Sequence, residues 1–202
     1  LYDFLRKKEG STVFIHHDNA YLMNIAEGLN LIPYGTEDDL YVNGRITGNS
    51  PYLTFEWKAG KDGKSYQVQT QLIGEYNFPN ALAAITIGRF FGVEDAKINE
   101  ALAGYTQQNN RSQLKKTDDN TLIIDAYNAN PTSMMAALQN FRNMEVPHKM
   151  LILGDMRELG AESAAEHQKI ADYLKECAFE KVWLVGDQFA AAEHSFQTYP
   201  NV

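Results

Sequence analysis

The sequence predicts an α/β protein of two domains, and three features support this prediction. After residue 120, short apolar runs alternate with longer helical stretches, the pattern of a parallel sheet with helical crossovers. Before that, several β-rich runs lead into an alanine-rich helical stretch. Between the two parts, residues 105–112 are polar and lack apolar periodicity, as a linker does. We therefore expect domains at residues 1–110 and 111–202.

Bulk properties limit the function classes. The 202 residues are 44% hydrophobic and 22% charged, a balance typical of a soluble globular protein. The net charge of -8 argues against a general nucleic-acid binder, which needs a basic surface. The single cysteine, Cys177, indicates a reducing cytoplasm, and no apolar run approaches the roughly 20 residues of a membrane span. The chain starts at Leu1 without a signal peptide, so we expect a piece of a longer protein.

The predicted elements of the first part come in this order. They are a buried strand at 12–16, a helix at 19–28 with Asn19 as its cap, a strand at 31–35, a hairpin of 51–57 and 65–73, and helices at 79–91 and 95–103.

The second part is predicted as three strand–helix pairs. The strands are 121–125, 149–154 and 181–186, and the helices are 133–144, 163–177 and 188–196. Because the connecting helices are long enough to serve as crossovers, we expect the three strands to be parallel neighbours in one sheet.

Polar loops follow the three predicted parallel strands, where ligands of open parallel sheets bind. The first of them, residues 125–131, is the richest in polar groups. Asp125 can accept hydrogen bonds from ribose hydroxyls, and the amides of Asn128 and Asn130 both donate and accept. The alternative is that the Asn side chains only cap a helix that starts at Pro131.

A second candidate segment, residues 74–80, joins a strand to the alanine-rich helix. Asn77 and Asn80 lie at the N-terminus of that helix, where free N–H groups favour anionic or polar ligands. N-capping by either asparagine remains the alternative.

Two suggestive patterns are rejected. Gly63-Lys64 ends like a phosphate-binding loop, but that motif requires glycine at position 58, where Lys58 stands. His16 and His17 are adjacent on a strand and point to opposite faces, so we predict no metal site there.

Three segments together resemble the Mur ligase family, most closely its D-alanyl-D-alanine-adding members. They are Gly74-Glu-Tyr-Asn-Phe-Pro-Asn-Ala-Leu-Ala-Ala84, Ile124-Asp-Ala-Tyr-Asn-Ala-Asn-Pro-Thr-Ser-Met134, and Leu153-Gly-Asp-Met-Arg-Glu-Leu-Gly160 with His167 after it. The first segment is similar to a motif of the whole family, and the other two are similar to motifs of those members. The sequence departs from the family pattern at Tyr76, Asn110 and Ala126, where histidine, glycine and serine are common.

The resemblance implies the fold and the reaction. The chain would be the second half of a central ATPase domain followed by a truncated, Rossmann-like C-terminal domain. The full-length enzyme would use ATP and Mg²⁺ to join D-alanyl-D-alanine to UDP-N-acetylmuramoyl-tripeptide through an acyl phosphate, for peptidoglycan synthesis. The chain contains neither a glycine-rich phosphate loop nor the family's modified lysine, so we expect it to be inactive alone and assign no catalytic residue or metal ligand.

The resemblance also implies binding residues. Nucleotide contacts are expected from Asn77, Asn80, Arg111, Asp125 and Tyr127, and substrate contacts from Asn128, Asn130 and Asp155. Two other functions stay open: a different ligase of the superfamily, of the folylpolyglutamate or cyanophycin type, and a non-catalytic αβ binding module.

Overall fold

The computed structural model describes residues 1–49, 51–107 and 110–200. The chain divides into two compact units, unit 1 from Leu1 to Gln108 and unit 2 from Asn109 to Val202. Each unit has a hydrophobic core of its own. No helix in the described ranges is both long and apolar enough to cross a membrane. The domain boundary between residues 110 and 111 stays a prediction.

Unit 1 contains one five-stranded sheet with helices packed against it. Its elements are α1 (Tyr2–Arg6), β1 (Thr12–His16), α2 (Ala20–Ile25), β2 (Asn30–Gly35), β3 (Val42–Asn49), β4 (Leu53–Lys58), β5 (Tyr66–Gln69), α3 (Phe78–Phe90) and α4 (Asp95–Gly104). The strand order is β1-β2-β3-β4-β5, in which β1, β2 and β3 are parallel and β3, β4 and β5 antiparallel.

The core of unit 1 follows from two periodicities. Along β4, Leu53, Phe55 and Trp57 are buried and alternate with partly exposed residues. On α3, Leu82 and Ile85 are fully buried against that face of the sheet. Burial of each such side chain contributes about 1.5–3 kcal/mol relative to exposure, so the contact between β4 and α3 stabilises unit 1.

Most predicted elements of unit 1 are confirmed, and the helix α1 and the strand β3 were missed. Asn19 caps α2, because its side chain accepts a hydrogen bond from the N–H of Leu22 at 3.1 Å. The strand β3 carries two glycines and shows no apolar alternation in sequence. Gly44 lies so close to β4 that an added Cβ would be 2.6 Å from the carbonyl oxygen of Glu56.

The described residues of unit 2, 110–200, form two sheets. Its elements are β6 (Gln113–Lys116), β7 (Thr121–Ile124), α5 (Pro131–Asn143), β8 (Met150–Gly154), α6 (Ser163–Lys175), β9 (Lys181–Val185), α7 (Asp187–Ala191) and β10 (Gln197–Tyr199). The strands β10, β9 and β8 form a parallel sheet in that order, which confirms the predicted parallel sheet. The predicted helix at 188–196 is shorter than expected and is followed by the unpredicted strand β10.

The expected place of strand 121–125 in the parallel sheet is wrong. In the part of the chain that the structure describes, β7 pairs antiparallel with β6 in a sheet of two strands. A tight turn makes this hairpin, since the N–H of Thr117 donates to the carbonyl of Asn120 at 2.8 Å. The strand β6 was missed because its sequence is mostly polar. Loop 125–131 therefore follows a hairpin strand.

Helices α5 and α6 and the parallel sheet share the core of unit 2. Leu138 of α5, Ile170 and Leu174 of α6, and Leu184 of β9 are almost completely buried in one cluster. The spacing of the α6 residues places them on one helical face. Met156, in the loop after β8, belongs to the same cluster, so that loop is anchored in the core.

Candidate functional site

Loop 125–131 ends in a helix cap. The side-chain oxygen of Asn130 accepts a hydrogen bond from the N–H of Ser133 at 2.9 Å, and the N–H of Asn130 donates to the hydroxyl of Ser133 at 3.3 Å. This is a capping box, with Pro131 at the start of α5. The capping alternative is thus confirmed for Asn130. Asn128 is exposed, and its side-chain oxygen accepts from the N–H of Ala129 at 2.9 Å.

An arginine and a tyrosine stack at the start of the same loop. The guanidinium carbon of Arg111 lies 4.0 Å from the centroid of the Tyr127 ring. Both residues are exposed, and Tyr127 has 61% of its surface accessible. A guanidinium over a ring face at this distance makes a cation–π contact. Two of the predicted nucleotide-binding residues are therefore in direct contact.

A third predicted residue, Asp125, is hydrogen-bonded to the neighbour of Arg111. The hydroxyl of Ser112 donates to Oδ2 of Asp125 at 3.2 Å, and the N–H of Ala126 donates to the carbonyl of Asn110 at 2.7 Å. Ser112 is buried and Asp125 is exposed. We call Asn110, Arg111, Ser112, Asp125 and Tyr127 the Arg111–Asp125 cluster.

The backbone of the Arg111–Asp125 cluster is unusual. Asn110 has a φ of 55° and Ser112 a φ of 47°, both in the left-handed region that residues other than glycine rarely adopt. Such conformations cost on the order of 1–3 kcal/mol and occur where surrounding contacts enforce them, often at functional sites. Sequence reasoning missed Ser112, because serine does not signal a left-handed backbone, whereas Asn110 is of a type that adopts it more readily.

Asp155 lies elsewhere in unit 2 and has structural contacts. Its two carboxylate oxygens accept hydrogen bonds from the N–H groups of Gln188 and Phe189, each at 3.0 Å, at the start of α7. Gly186 precedes this helix with a φ of 120°, and a Cβ on it would be 2.2 Å from Oδ2 of Asp155. These contacts favour a structural role for Asp155. They leave its expected substrate contact a prediction.

His167 anchors the loop that contains Asp155. It is fully buried, and its Nε2 accepts a hydrogen bond from the N–H of Met156 at 3.0 Å. Its Nδ1 lies 2.7 Å from the carbonyl oxygen of Ser163, which can only accept, so Nδ1 carries a proton. The imidazole thereby satisfies one backbone donor and one backbone acceptor in the core.

The predicted site residues of unit 1 lie at the start of α3. Asn77 is buried, and its side-chain amide donates to the carbonyl of Ile73 at 2.8 Å without capping the helix. Asn80 is exposed on the first turn. Gly74 has a φ of 95°, and a Cβ on it would be 2.3 Å from the ring of Tyr76. The turn 74–77 therefore requires glycine to present these asparagines.

His16, the last residue of β1, and the next two residues, His17 and Asp18, lie near charged or polar groups. Nε2 of His16 lies 3.5 Å from the carboxylate of Asp18, and Nδ1 of His17 lies 3.7 Å from that of Glu37. Asp18 also accepts from the N–H of Thr36 at 3.0 Å. Among the residues that the structure describes, no group of three His, Cys, Asp or Glu side chains is placed to hold a metal ion.

A groove of about 530 Å³ lies between α6 and α7, and none of the predicted site residues lines it. Its polar side chains bind one another: the amide nitrogen of Gln168 and the ammonium of Lys175 both donate to Asp172. The hydrogen bond from Lys175, followed by that from Gln168, lowers the pKa of the Asp172 carboxyl. Gln168, Asp172 and Lys175 are therefore engaged with one another, and the groove carries no proposal of a ligand site.

Two family models match the chain one after the other. The model of the Mur ligase middle domain matches residues 2–88, and that of the Mur ligase glutamate ligase domain matches residues 110–199. A UDP-N-acetylmuramoyl-tripeptide–D-alanyl-D-alanine ligase of Bacillus subtilis (strain 168) is 38% identical over 117 residues, which are 57% of this chain and 26% of that protein.

Two solved structures share the fold. A crystal structure of MurF from Acinetobacter baumannii superposes with a TM-score of 0.80 at 24% identity, covering 96% of this chain and 43% of that one. MurF ligase of Thermotoga maritima in complex with ADP superposes with a TM-score of 0.77 at 17% identity, covering 96% and 44%. The chain thus spans less than half the length of these relatives.

Proposed function

The chain belongs to the Mur ligase family, and on that premise we propose that it is part of a ligase that adds D-alanyl-D-alanine to UDP-N-acetylmuramoyl-tripeptide. The observation that carries the proposal is the agreement between the two family models, in chain order over both units, and the name of the Bacillus subtilis relative. The chain would supply the later part of the middle domain and most of the C-terminal domain of that enzyme.

The proposed reaction forms an amide bond at the expense of ATP. The terminal carboxylate of the tripeptide attacks the γ-phosphorus, and ADP leaves. The amine of the dipeptide then attacks the acyl carbon, loses a proton and expels phosphate. Such chemistry requires that negative charge be neutralised while two substrates are held in line.

In unit 2, the Arg111–Asp125 cluster carries the proposed nucleotide contacts. The cationic Arg111 suits the phosphates, and the exposed carboxylate of Asp125 suits ribose hydroxyls. Asn128 and Asn130 are better candidates for a substrate contact than Asp155, because both are exposed, whereas both oxygens of Asp155 bind α7. The side-chain oxygens of the two asparagines accept local hydrogen bonds, so the proposed contacts would be made by their amide nitrogens.

In unit 1, Asn80 is the more accessible of the two proposed nucleotide ligands. It lies on the first turn of α3, where the N–H groups of the helix favour polar or anionic groups. Asn77 is buried, so it supports the turn before α3. Only the small exposed part of its side chain can contact a ligand.

Two further parts of the proposal concern Mg²⁺ and location. Mg²⁺ would accompany ATP, because this ion is commonly bound through one or two carboxylates together with nucleotide phosphates. We assign no residue of this chain as a ligand of that ion. The cytoplasm, where ATP is available and a lone thiol stays reduced, is the proposed location.

The two alternatives are less well supported. A ligase of the folylpolyglutamate or cyanophycin type would not account for segments 124–134 and 153–160, which resemble the D-alanyl-D-alanine-adding members. A non-catalytic αβ module is not favoured by the match of two Mur ligase domain models, one after the other, along the chain.

The experiment that tests the proposed function measures phosphate release by the full-length ligase that contains this chain. We expect phosphate to form only when ATP, UDP-N-acetylmuramoyl-tripeptide and D-alanyl-D-alanine are all present. L-lysine and diaminopimelate serve as control amines. Equal phosphate release with either control amine would contradict the proposed specificity.

A further inference from the structure

Two segments of unit 2 contact each other's charged side chains. The first segment is residues 110–112, and the second is residues 125–127. Arg111 belongs to the first segment, and its guanidinium stacks on Tyr127 of the second at 4.0 Å. Asp125 belongs to the second segment, and its carboxylate accepts a hydrogen bond from Ser112 of the first at 3.2 Å. Between them, the N–H of Ala126 donates to the carbonyl of Asn110 at 2.7 Å. Each segment therefore orients the charged group of the other.

Stacking restricts the arginine without using its hydrogen-bond donors. The contact with Tyr127 involves the face of the guanidinium, whereas the five N–H donors lie in its plane. A long side chain that is already ordered loses less conformational entropy when it binds a ligand. The ring of Tyr127 thus prepares Arg111 for binding a phosphate group.

Ser112 restricts the carboxylate of Asp125, as Tyr127 restricts the guanidinium of Arg111. Ser112 is only 4% exposed, so its hydroxyl is placed to bind Asp125 and not a ligand. Its hydrogen bond to one oxygen of Asp125 restricts the rotation of the carboxylate. Ser112 makes this hydrogen bond from a left-handed backbone conformation, with a φ of 47°.

We propose that Tyr127 and Ser112 are positioning residues, which act on the nucleotide through Arg111 and Asp125 respectively. This inference rests on the proposed function, because it assigns Arg111 and Asp125 to an ATP site. It adds Ser112 to the site and changes the role of Tyr127 from a direct ligand to the support of an arginine.

Kinetics of the full-length ligase separate positioning from direct binding. We expect Tyr127→Leu to raise the KM for ATP about fivefold and to leave the KM for D-alanyl-D-alanine unchanged. Tyr127→Phe keeps the ring and should have the wild-type KM for ATP. Ser112→Ala should raise the KM for ATP about threefold. Tyr21→Leu, at an equally exposed tyrosine of unit 1, is the control.

Nuclear magnetic resonance of the 202-residue chain tests the contact directly. A ring 4.0 Å from the guanidinium shifts the side-chain protons of Arg111 upfield. This shift should be present in wild type and Tyr127→Phe and absent in Tyr127→Leu.

Three outcomes would overturn the inference. A raised KM for ATP in Tyr127→Phe would mean that the hydroxyl binds the nucleotide directly. A Tyr127→Leu enzyme with wild-type KM would show that the stacking has no role in binding. Absence of phosphate release by the wild-type enzyme would refute the proposed function itself. This result is obtained before any substitution is made, so it is distinguished from the other two outcomes.

Discussion

In the full-length ligase, replacement of Arg111 by methionine is expected to lower kcat/KM for ATP by about 100-fold or more. Methionine has a similar length but no charge, so the phosphates lose a cation while the stacking surface for Tyr127 is partly kept. Removal of one charge-stabilising donor from a transferring group typically costs two to three orders of magnitude, roughly 10²–10³. The measurement is initial-rate kinetics with saturating tripeptide and dipeptide.

Arg142→Met is the matched control for Arg111→Met. Arg142 is also an exposed arginine of unit 2 that lies over a tyrosine ring, at 5.7 Å from Tyr173. It belongs to α5 and has no place in the proposed site, so kcat/KM should change by no more than about twofold. If Arg111→Met affects kcat/KM no more than Arg142→Met does, Arg111 does not bind the nucleotide.

Replacement of Gly186 by alanine is expected to destabilise unit 2 by about 3 kcal/mol or more. Gly186 has a φ of 120° and a ψ of 166°, a region that is essentially restricted to glycine. The new Cβ would also be 2.2 Å from the carboxylate of Asp155. Because that carboxylate would have to move, the N–H groups of Gln188 and Phe189 would lose their acceptor, at a cost of about 1–3 kcal/mol each.

Urea unfolding of the 202-residue chain measures this effect for unit 2 alone. The chain has two tryptophans, Trp57 in unit 1 and Trp183 in unit 2, whose indole signals report the two units separately. The Trp183 transition should move to lower urea in Gly186→Ala, and the Trp57 transition should not move.

Gly160→Ala is the matched control for Gly186→Ala. Gly160 also has a positive φ, 54°, but no atom lies within 4 Å of an added Cβ. Its replacement should cost only about 1 kcal/mol from backbone strain. Adding Asp155→Ala to Gly186→Ala should cost less than the sum of the two changes, because the collision is then removed. Equal effects of the two glycine substitutions would contradict the assigned role of Asp155.

Local signals in the sequence predicted many elements of this fold. Asn19 caps α2, and Asn130 with Pro131 starts α5, because these residues satisfy the first N–H groups of a helix in any context. Alternating apolar residues likewise predicted β4. These signals depend only on neighbours in sequence, so they can be recognised without knowledge of the fold.

Strand pairing was harder to predict, because it depends on residues far apart in sequence. The strands β3 and β6 are polar or glycine-containing, and they are strands because β4 and β7 provide their hydrogen-bond partners. For the same reason, the expected place of residues 121–125 in the parallel sheet was wrong. Apolar composition indicated a strand there but did not specify its neighbour.

In the candidate site, as in the fold, the sequence indicated single residues but not the contacts between distant ones. Resemblance to the Mur ligases selected Arg111, Asp125 and Tyr127, but the stacking of Arg111 on Tyr127 and the hydrogen bond from Ser112 to Asp125 became visible only in the structure. The support of loop 154–160 by His167, buried one helix turn into α6, likewise required the fold. Residue types therefore indicated which side chains are candidates for binding. Only the structure indicated which other residues position them.

The central claim is most directly tested by an oxygen-18 transfer experiment with the full-length ligase. The terminal carboxylate of UDP-N-acetylmuramoyl-tripeptide is labelled, and the phosphate released in the presence of ATP and D-alanyl-D-alanine is examined by mass spectrometry. An acyl phosphate requires that one labelled oxygen leave with the phosphate as the amide forms, and we expect this label in the released phosphate. Phosphate without the label would contradict the account, as would equal labelling with L-lysine in place of the dipeptide.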